Sequence, residues 1–282
     1  MKKRLIVNAD DFGLCEGVNK AVERSHKEGI LTSATIMAGF DSTQRAIEMA
    51  KGVPKLGVGV HLNLTEGKAV CQNEDTKYLL DDDGGFKYSA GKVAIKSLLC
   101  GKTRKAIETE LTAQVQSLLD MGLKPTHLDS HKHVHTFPTI WPIVVKIAEK
   151  FGIRAIRWPC EAMKTSNSDW PLPSKSGKTR TLIISTMARI DRAKDKKYIV
   201  TDAFYGVAHT GKADDDFWQA VSRHASTGVS EVMVHPGYAD GLDPDKTRLI
   251  QQRQVELESL CSEKTKAFIA DAGIELINYG EV

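Results

Sequence analysis

The sequence predicts an α/β protein, a distorted (β/α) barrel of the TIM-like kind formed by a single domain. Strand-like apolar runs alternate with helix-like segments along the 282 residues, and this alternation indicates a parallel sheet covered by helices. No Gly-x-Gly-x-x-Gly motif follows the first strand, which disfavours an open dinucleotide-binding sheet. Polar residues stand where several predicted strands end, and a barrel builds its active site from such ends.

The predicted strands are short apolar runs, and most of the predicted helices stop just before a glycine. Strands are expected at residues 4–8, 33–38, 56–64, the start of the histidine-rich run 126–135, 152–157, 229–234 and 275–278. Helices are expected at 16–28, 42–51, 106–121, 139–151 and 245–272. This order of elements gives the repeated strand and helix units of a barrel.

Two regions depart from this rhythm and are predicted to be insertions into the single domain 1–282. Residues 71–102 contain an acidic turn at 81–85 that lacks the ligand pattern of a calcium loop, so a solvated turn is favoured. Residues 161–216 are rich in Ser, Lys, Pro and Asp. We expect this second region to leave the barrel as a lid, a dimer contact or both.

Composition excludes several classes of protein. A hydrophobic content of 41% with 27% charged residues is ordinary for a soluble globular protein. The net charge is +3 with scattered basic residues, which argues against nucleic acid as a partner, and no apolar run has the length of a membrane span. The five cysteines are odd in number and form no Cys-x-x-Cys pair, so they indicate reduced thiols in a cytoplasmic protein.

Residues 126–135 hold four of the nine histidines and one aspartate, which is the donor chemistry of a divalent metal site. If the segment enters as a strand, the alternation of side chains places His127, Asp129 and His131 on one face. A metal or catalytic role is therefore favoured over a polar loop, which remains the alternative.

The first predicted strand ends in two consecutive carboxylates, Asp10 and Asp11. Neighbouring residues of a strand point to opposite faces, so both can serve one site only where the strand is already turning. Gly13 can make that turn. One carboxylate could be held by a metal while the other moves a proton; a turn that caps the next helix is an equally good explanation.

The strand at 56–64 places His61 and Asn63 on one face, among alternating apolar residues. A solitary histidine here is more often a hydrogen-bonded core residue. Two residues from other predicted strands favour a metal-binding role for His61. Together with Asp11 and His131 it would form a set of two histidines and one carboxylate, with positions left open for water and substrate.

His235 closes the apolar strand at 229–234, and the Pro-Gly pair that follows forces an immediate turn. The imidazole is therefore expected at the rim of the barrel. A structural histidine fits as well as a catalytic one, but beside a hydrolytic metal site His235 would be a natural proton donor.

Four separated segments occur in a recognisable order: Val-Asn-Ala-Asp-Asp-Phe-Gly at 7–13, Gly-Val-His-Leu-Asn-Leu-Thr at 59–65, Pro-Thr-His-Leu-Asp-Ser-His-Lys-His-Val-His at 125–135, and His-Pro-Gly-Tyr at 235–238. They resemble the YdjC-like carbohydrate deacetylases, a family that includes chitooligosaccharide deacetylase. The resemblance covers about residues 5–159 and 229–282. Residues 71–102 and 161–216 offer little to compare with the family.

The resemblance implies a distorted (β/α) barrel, one divalent cation described as magnesium, and removal of acetyl groups from N-acetylated sugars. It would make Asp11, His61 and His131 the metal ligands and Asp10 the catalytic base. It also implies a homodimer with a small sugar substrate. Imidazole ligands favour zinc by their softness, so zinc stays an alternative to magnesium.

Other residues near these segments are candidates for supporting roles. Asn63, His133 and Trp158 are predicted to contact substrate; core packing is the favoured alternative for the tryptophan. Asp129 could orient a ligand imidazole from behind. Lys132 stands where relatives often carry a histidine, on the face away from His131, so a substrate contact rather than the metal would differ.

Three rival functions remain open on the sequence. A glycoside hydrolase for a phosphorylated disaccharide would need two carboxylates on either side of the glycosidic bond, and adjacent Asp10 and Asp11 are poorly placed for that. An iron-dependent oxygenase would use the same ligand set. A sugar-binding protein with a structural metal would bind substrate without releasing acetate.

Overall fold

A curled parallel sheet forms the centre of the computed structural model, which describes residues 2–161, 170–194, 196–244 and 247–282. Its strands are β1 (Lys3–Phe12), β2 (Ser33–Ile36), β3 (Gly57–Leu62), β4 (Leu128–Ser130), β5 (Ala203–Tyr205), β6 (Gly228–Val234) and β7 (Glu275–Leu276). The strand order is β4-β3-β2-β1-β6-β5, with β7 pairing on β1, and all these pairs are parallel.

Helices cover the outside of this sheet. They are α1 (Glu16–Lys27), α2 (Thr43–Gly52), α3 (Ala90–Leu99), α4 (Gly101–Asp120), α5 (Trp141–Phe151), α6 (Lys175–Lys194), α7 (Asp215–His224), α8 (Gln251–Cys261) and α9 (Glu263–Asp271). Residues 5–12 of β1 are all buried, as expected of a central parallel strand covered on both faces. No helix in the described part of the chain is long and apolar enough to cross a membrane.

Backbone that is not regular strand extends the sheet beyond β4. The Leu128 N–H donates to the Ala155 carbonyl at 2.9 Å, and the Arg157 N–H donates back to the Leu128 carbonyl at 2.9 Å. The Ile156 N–H then donates to the Tyr198 carbonyl, also at 2.9 Å. Residues 152–157, predicted as a strand, thus form an extended segment with a single bridge to β4. The predicted distorted barrel is confirmed.

One predicted helix is two helices. The sequence pattern predicted a single helix over 245–272, of which residues 245–246 lie outside the described part of the chain. Within that range α8 ends at Cys261 and α9 begins at Glu263. Ser262 separates them, because its hydroxyl accepts a hydrogen bond from the Thr265 N–H at 3.1 Å and so caps a new helix.

The two predicted insertions contain regular structure that the sequence pattern missed. The region 71–102 includes α3 and is tied to α4 by Glu110, whose carboxylate accepts from the N–H groups of Val70 at 3.0 Å and Cys71 at 2.8 Å. The region 161–216 includes α6 and β5, and β5 pairs with β6 in the central sheet. That part of the second region therefore belongs to the barrel; residues 162–169 lie outside the described chain.

Gly59 in β3 gives a test of how tightly the strands near the site pack. A methyl group at this position would meet the His127 carbonyl oxygen at 2.5 Å and the His127 ring at 2.6 Å. We expect Gly59→Ala to lower the free energy of unfolding by about 1–3 kcal/mol through overpacking, measured by urea denaturation.

Gly91→Ala in α3 is the matched control, because a methyl group there meets no atom within 4 Å. It should leave stability unchanged or raise it by less than about 1 kcal/mol. Equal stability of Gly59→Ala and the parent protein would show that β3 and β4 can separate freely.

Candidate metal and catalytic site

Three predicted ligands meet at one point at the carboxyl ends of the strands. Asp11 comes from β1, His61 from β3, and His131 from the turn after β4, and one donor atom of each lies within 4.8 Å of the others. The Asp11 Oδ1 atom is 3.4 Å from His61 Nε2 and 3.0 Å from His131 Nδ1. The structure therefore brings together the set that the sequence analysis selected.

The local backbone explains how consecutive residues reach this point. Asp11 has a φ of 66°, in the left-handed region, and the pairing of β1 with β2 shifts between Ala9 and Phe12. This break lets Asp10 and Asp11 face one site. Lys132 and His133 are also left-handed, with φ of 56° and 54°. Non-glycine residues in this region are strained, and the three of them lie at or beside the site.

His61 is held so that one ring nitrogen is free. Its Nδ1 lies 2.7 Å from Asp129 Oδ1 and 3.1 Å from the Thr35 hydroxyl, while its buried Nε2 has no hydrogen-bond partner. Asp129 thus fixes the ring of His61, a predicted ligand, and the structure gives this contact to His61 rather than to His131. An orphaned ring nitrogen beside a carboxylate fits a metal ion.

Arg157 lies beneath the ligands and is fully buried. Its guanidinium donates to both oxygens of Asp10 at 2.7 and 2.8 Å and contacts Asp129 at 2.8 Å, and its Nε donates to Glu231 at 2.8 Å. The hydroxyl of Tyr279 donates to the other oxygen of Glu231 at 2.5 Å. Sequence reasoning missed Arg157; the signal available was a charged residue at the end of the predicted strand 152–157.

The buried ionic network contains four carboxylates and two guanidinium groups. They are those of Asp10, Asp11, Asp129, Glu231, Arg157 and Arg253. Burial raises the pKa of Glu231 to about 7, against the charge of Arg157 and the hydrogen bond from Tyr279. The donor set of one carboxylate and two imidazoles fits a divalent cation.

The pKa of His61 shows how strongly this network attracts positive charge. Burial opposes protonation of the ring, but the charges of Asp129 and Asp10, the nearby carboxylate of Asp11 and the hydrogen bond with Asp129 raise the pKa of His61 to about 10. The same charges would stabilise a cation at the free Nε2 atom.

Asp10 and His235 face each other beside the ligand set, with His235 Nε2 4.0 Å from Asp10 Oδ2. Burial disfavours the charge of Asp10, yet Arg157 and neighbouring histidines hold its pKa well below the usual value. Burial lowers the pKa of His235 to about 4, although Asp10 and Asp11 oppose this change. Asp10 is therefore ionised at neutral pH, and His235 is neutral there until it receives a proton.

Comparison with known proteins places this site in a family. A model of YdjC-like proteins matches residues 4–271. The chain belongs to the YdjC-like family. Proteins named carbohydrate deacetylase from Brevibacillus brevis and Geobacillus stearothermophilus are each 34% identical to it; the matches cover 99% and 100% of this chain and 99% and 98% of those proteins.

A solved structure shares the fold of this chain. The crystal structure of an Enterococcus faecalis protein, provisionally named a cellobiose-phosphate cleavage protein, is similar with a TM-score of 0.77 and 25% identity. The similarity covers 100% of this chain and 99% of that protein. The fold is thus shared with this neighbour along the whole chain.

The three predicted substrate contacts of this YdjC-like chain lie in different surroundings. The side chain of Asn63 is used inside its own turn, where Oδ1 accepts from the Thr65 and Glu66 N–H groups at 3.0 and 3.2 Å. His133 is buried, and its Nδ1 has no hydrogen-bond partner. Asn63 therefore stabilises its own turn, whereas the Nδ1 atom of His133 is left to bind another group.

Trp158 is 8% exposed and packs against α6. Its indole N–H donates to the Ala188 carbonyl at 2.8 Å, and the Arg192 guanidinium lies 4.2 Å from the ring centre. These contacts match the core-packing alternative. A sugar could stack on this ring only where Arg192 and α6 leave it uncovered.

Glu66 is a further carboxylate at the site that sequence reasoning missed. Its Oε1 lies 3.3 Å from His131 Nε2 and 2.6 Å from Lys132 Nζ. Burial raises its pKa, but the hydrogen bond and charge of His131 and those of Lys132 outweigh this and lower it. The only sequence signal was its place in the loop after β3. Lys132 thus pairs with Glu66 beside His131, one of the predicted ligands.

Arg157→Met should destabilise the protein strongly, because three buried carboxylates would lose their cation. We expect a loss of about 3–5 kcal/mol in the free energy of unfolding, measured by urea denaturation after chelation of divalent ions.

The matched control is Arg45→Met, which removes an exposed arginine that pairs with Glu48 at 3.4 Å. That change should alter stability by less than about 1 kcal/mol. Similar losses in the two variants would mean that the buried network is not held together by Arg157.

Glu256 predicts a pH dependence of stability. Burial raises the pKa of this carboxyl from 4.5 to about 7, against hydrogen bonds from the N–H groups of His235, Ala213 and Gly211. Because the folded pKa is raised, its stabilising contribution is complete below about pH 4.5 and is lost as pH rises through 7.

Between pH 5 and 8 the parent protein should therefore lose roughly 2 kcal/mol more than Glu256→Gln, measured by urea denaturation at each pH. The difference between the two proteins cancels the titration of other groups. Parallel stability curves would show that Glu256 is ionised throughout this range.

Proposed function

We propose that this protein is a metal-dependent hydrolase that removes acetyl groups from N-acetylated amino sugars. The observation that carries the proposal is the convergence of Asp11, His61 and His131 around one point beside the ionised Asp10. Family membership and the name carbohydrate deacetylase of the curated relatives support it.

The proposed substrate is a short chitooligosaccharide, such as diacetylchitobiose or its 6-phosphate. The resemblance of the four sequence segments to the chitooligosaccharide deacetylases supports the sugar. The name of the Enterococcus faecalis neighbour supports the phosphorylated form. Glu66 and Lys132 lie beside His131 and are the charged groups that such a sugar would meet first.

The proposed ion is one divalent cation bound by Asp11, His61 and His131, with magnesium expected from the family and zinc from the softness of the imidazoles. When bound, such an ion lowers the pKa of water and polarises the acetamide carbonyl. Asp129 fixes the ring of His61, so the free Nε2 keeps its direction.

Asp10 is the proposed acceptor of the first proton. The water oxygen bonds to the carbonyl carbon, and the proton that it loses moves to Asp10, which Arg157 orients through both oxygens. Because the pKa of Asp10 is well below its usual value, the protonated form releases this proton readily.

His235 is the proposed donor to the leaving group. It is neutral before the reaction, and it can take the proton from Asp10 across the 4.0 Å that separates their nearest atoms. The imidazolium then protonates the sugar nitrogen as the C–N bond breaks, which yields acetate and a free amine. One proton thus passes from the water to the amine through two side chains.

Cleavage of a phosphorylated disaccharide is the second candidate, favoured by the name of the structural neighbour. Such a reaction needs a protonated carboxyl to serve as general acid. Asp10 is ill suited to that role, because the bidentate contact with Arg157 keeps it ionised. Deacetylation is therefore preferred.

An acetate-release assay tests the proposal. The substrates are N-acetylated di- and trisaccharides with and without a 6-phosphate, after chelation and re-addition of Mg²⁺ or Zn²⁺. Acetate should appear only after an ion is restored. His235→Gln should lower kcat by about 100-fold or more with little change in KM, since it acts on the leaving group.

The same samples decide between the rivals. Arg45→Met, which changes an exposed residue of α2 that pairs with Glu48, should keep full activity. Release of a reducing sugar without acetate would establish the second candidate. Binding of sugar and ion with neither product would leave a sugar-binding protein.

A homodimer and a cytoplasmic location remain predictions. The cysteines of the described chain are free, in agreement with reduced thiols. Leu98 and Leu99 on α3 are 67% and 76% exposed, and apolar side chains of this kind are what a subunit contact would cover.

A further inference from the structure

Helix α8 reaches the metal ligands from the far end of the chain. Arg253 is 2% exposed, and its Nη2 donates to Asp11 Oδ2 at 2.5 Å. The other oxygen, Oδ1, faces His61 and His131. The two oxygens of Asp11 therefore have separate partners, one a guanidinium group and the other the ligand histidines.

The path of Arg253 to Asp11 is confined. Its Nε donates to the Leu249 carbonyl at 3.1 Å, which fixes the side chain along the helix. A methyl group on Gly237 would meet its Cδ at 2.9 Å, so the arginine passes directly beneath the turn after β6. The Gly237 N–H also donates to the Arg253 carbonyl at 3.2 Å. These contacts hold the guanidinium group of Arg253 beside Oδ2 of Asp11.

Glu256, one turn further along α8, holds the same turn from a second side. Its Oε2 accepts from the His235 N–H at 2.6 Å, and its Oε1 accepts from the Ala213 N–H at 3.4 Å. Arg253 thus contacts a ligand carboxylate, whereas Glu256 contacts only backbone. The two residues share one helix face but act on different parts of the site.

We propose that Arg253 is a positioning residue for the metal: it occupies one oxygen of Asp11 so that the carboxylate presents the other to the ion. This inference rests on the proposed metal site. Without Arg253, Oδ2 of Asp11 would be buried without a donor, and the carboxylate could turn away or take up a proton. Loss of such a supporting contact typically weakens metal binding by about 10–100-fold.

Ion affinity measured by titration calorimetry on chelated protein tests the proposal. Arg253→Met should weaken binding of Mg²⁺ and Zn²⁺ about 10–100-fold, and Arg253→Lys, which keeps the charge without the planar fork, should fall between this variant and the parent. Gln254→Met is the matched control, because the neighbouring Gln254 is exposed on the same helix; its affinity should equal that of the parent.

Glu256→Gln separates a specific role from general loosening of α8. Its affinity for the ion should stay within about threefold of the parent, since Glu256 touches no ligand. Parent-like affinity in Arg253→Met, or equal losses in Arg253→Met and Glu256→Gln, would overturn the proposal. If Arg253→Met fails to fold, as judged by circular dichroism, Arg253→Lys decides by the same measurement.

These outcomes are independent of the reaction. A parent protein that binds the ion but releases no acetate would count against the proposed function only. A parent protein that releases acetate while Arg253→Met binds the ion normally would count against the role of Arg253 only.

Discussion

Arg157 places a full positive charge in the interior of the barrel. The ion pairs with three carboxylates offset the free-energy cost of removing this charge from water. The rest of the site follows from this arrangement. Asp10 stays ionised because Arg157 donates hydrogen bonds to both of its oxygens. Arg157 also contacts Asp129, which in turn orients His61. Against the opposing effect of burial, the charges of Asp129 and Asp10 also raise the pKa of His61 to about 10, so the same carboxylates would stabilise a cation beside that ring.

The sequence predicted those features that depend on residues close together along the chain. Polar residues at the ends of apolar strands identified Asp10, Asp11, His61 and the histidine run, and the repeated strand and helix pattern predicted the barrel. Elements that depend on short or irregular backbone were missed. β5 has three residues, too few for a periodic pattern, and residues 155–157 bond to Leu128 and Tyr198 without forming a regular strand.

Residues whose role arises only from tertiary contact were also missed. Arg157, Arg253 and Glu66 look like ordinary charged residues in the sequence, because the groups they pair with are distant along the chain. The protonation state of His235 could not be predicted from the sequence for the same reason. Burial lowers the pKa of this ring, and burial depends on the complete fold. The donor types of a site can be predicted from sequence, but not how their surroundings set their charge.

Asp11 and Arg253 are 242 positions apart along the chain, and Asp11 and His131 are 120 apart. No contiguous fragment shorter than nearly the whole polypeptide contains all of these groups. The three predicted ligands, in contrast, all lie within the first 131 residues. Arg253 can therefore contact Asp11 only after nearly the whole chain has been synthesised, so the last element to complete the site is α8.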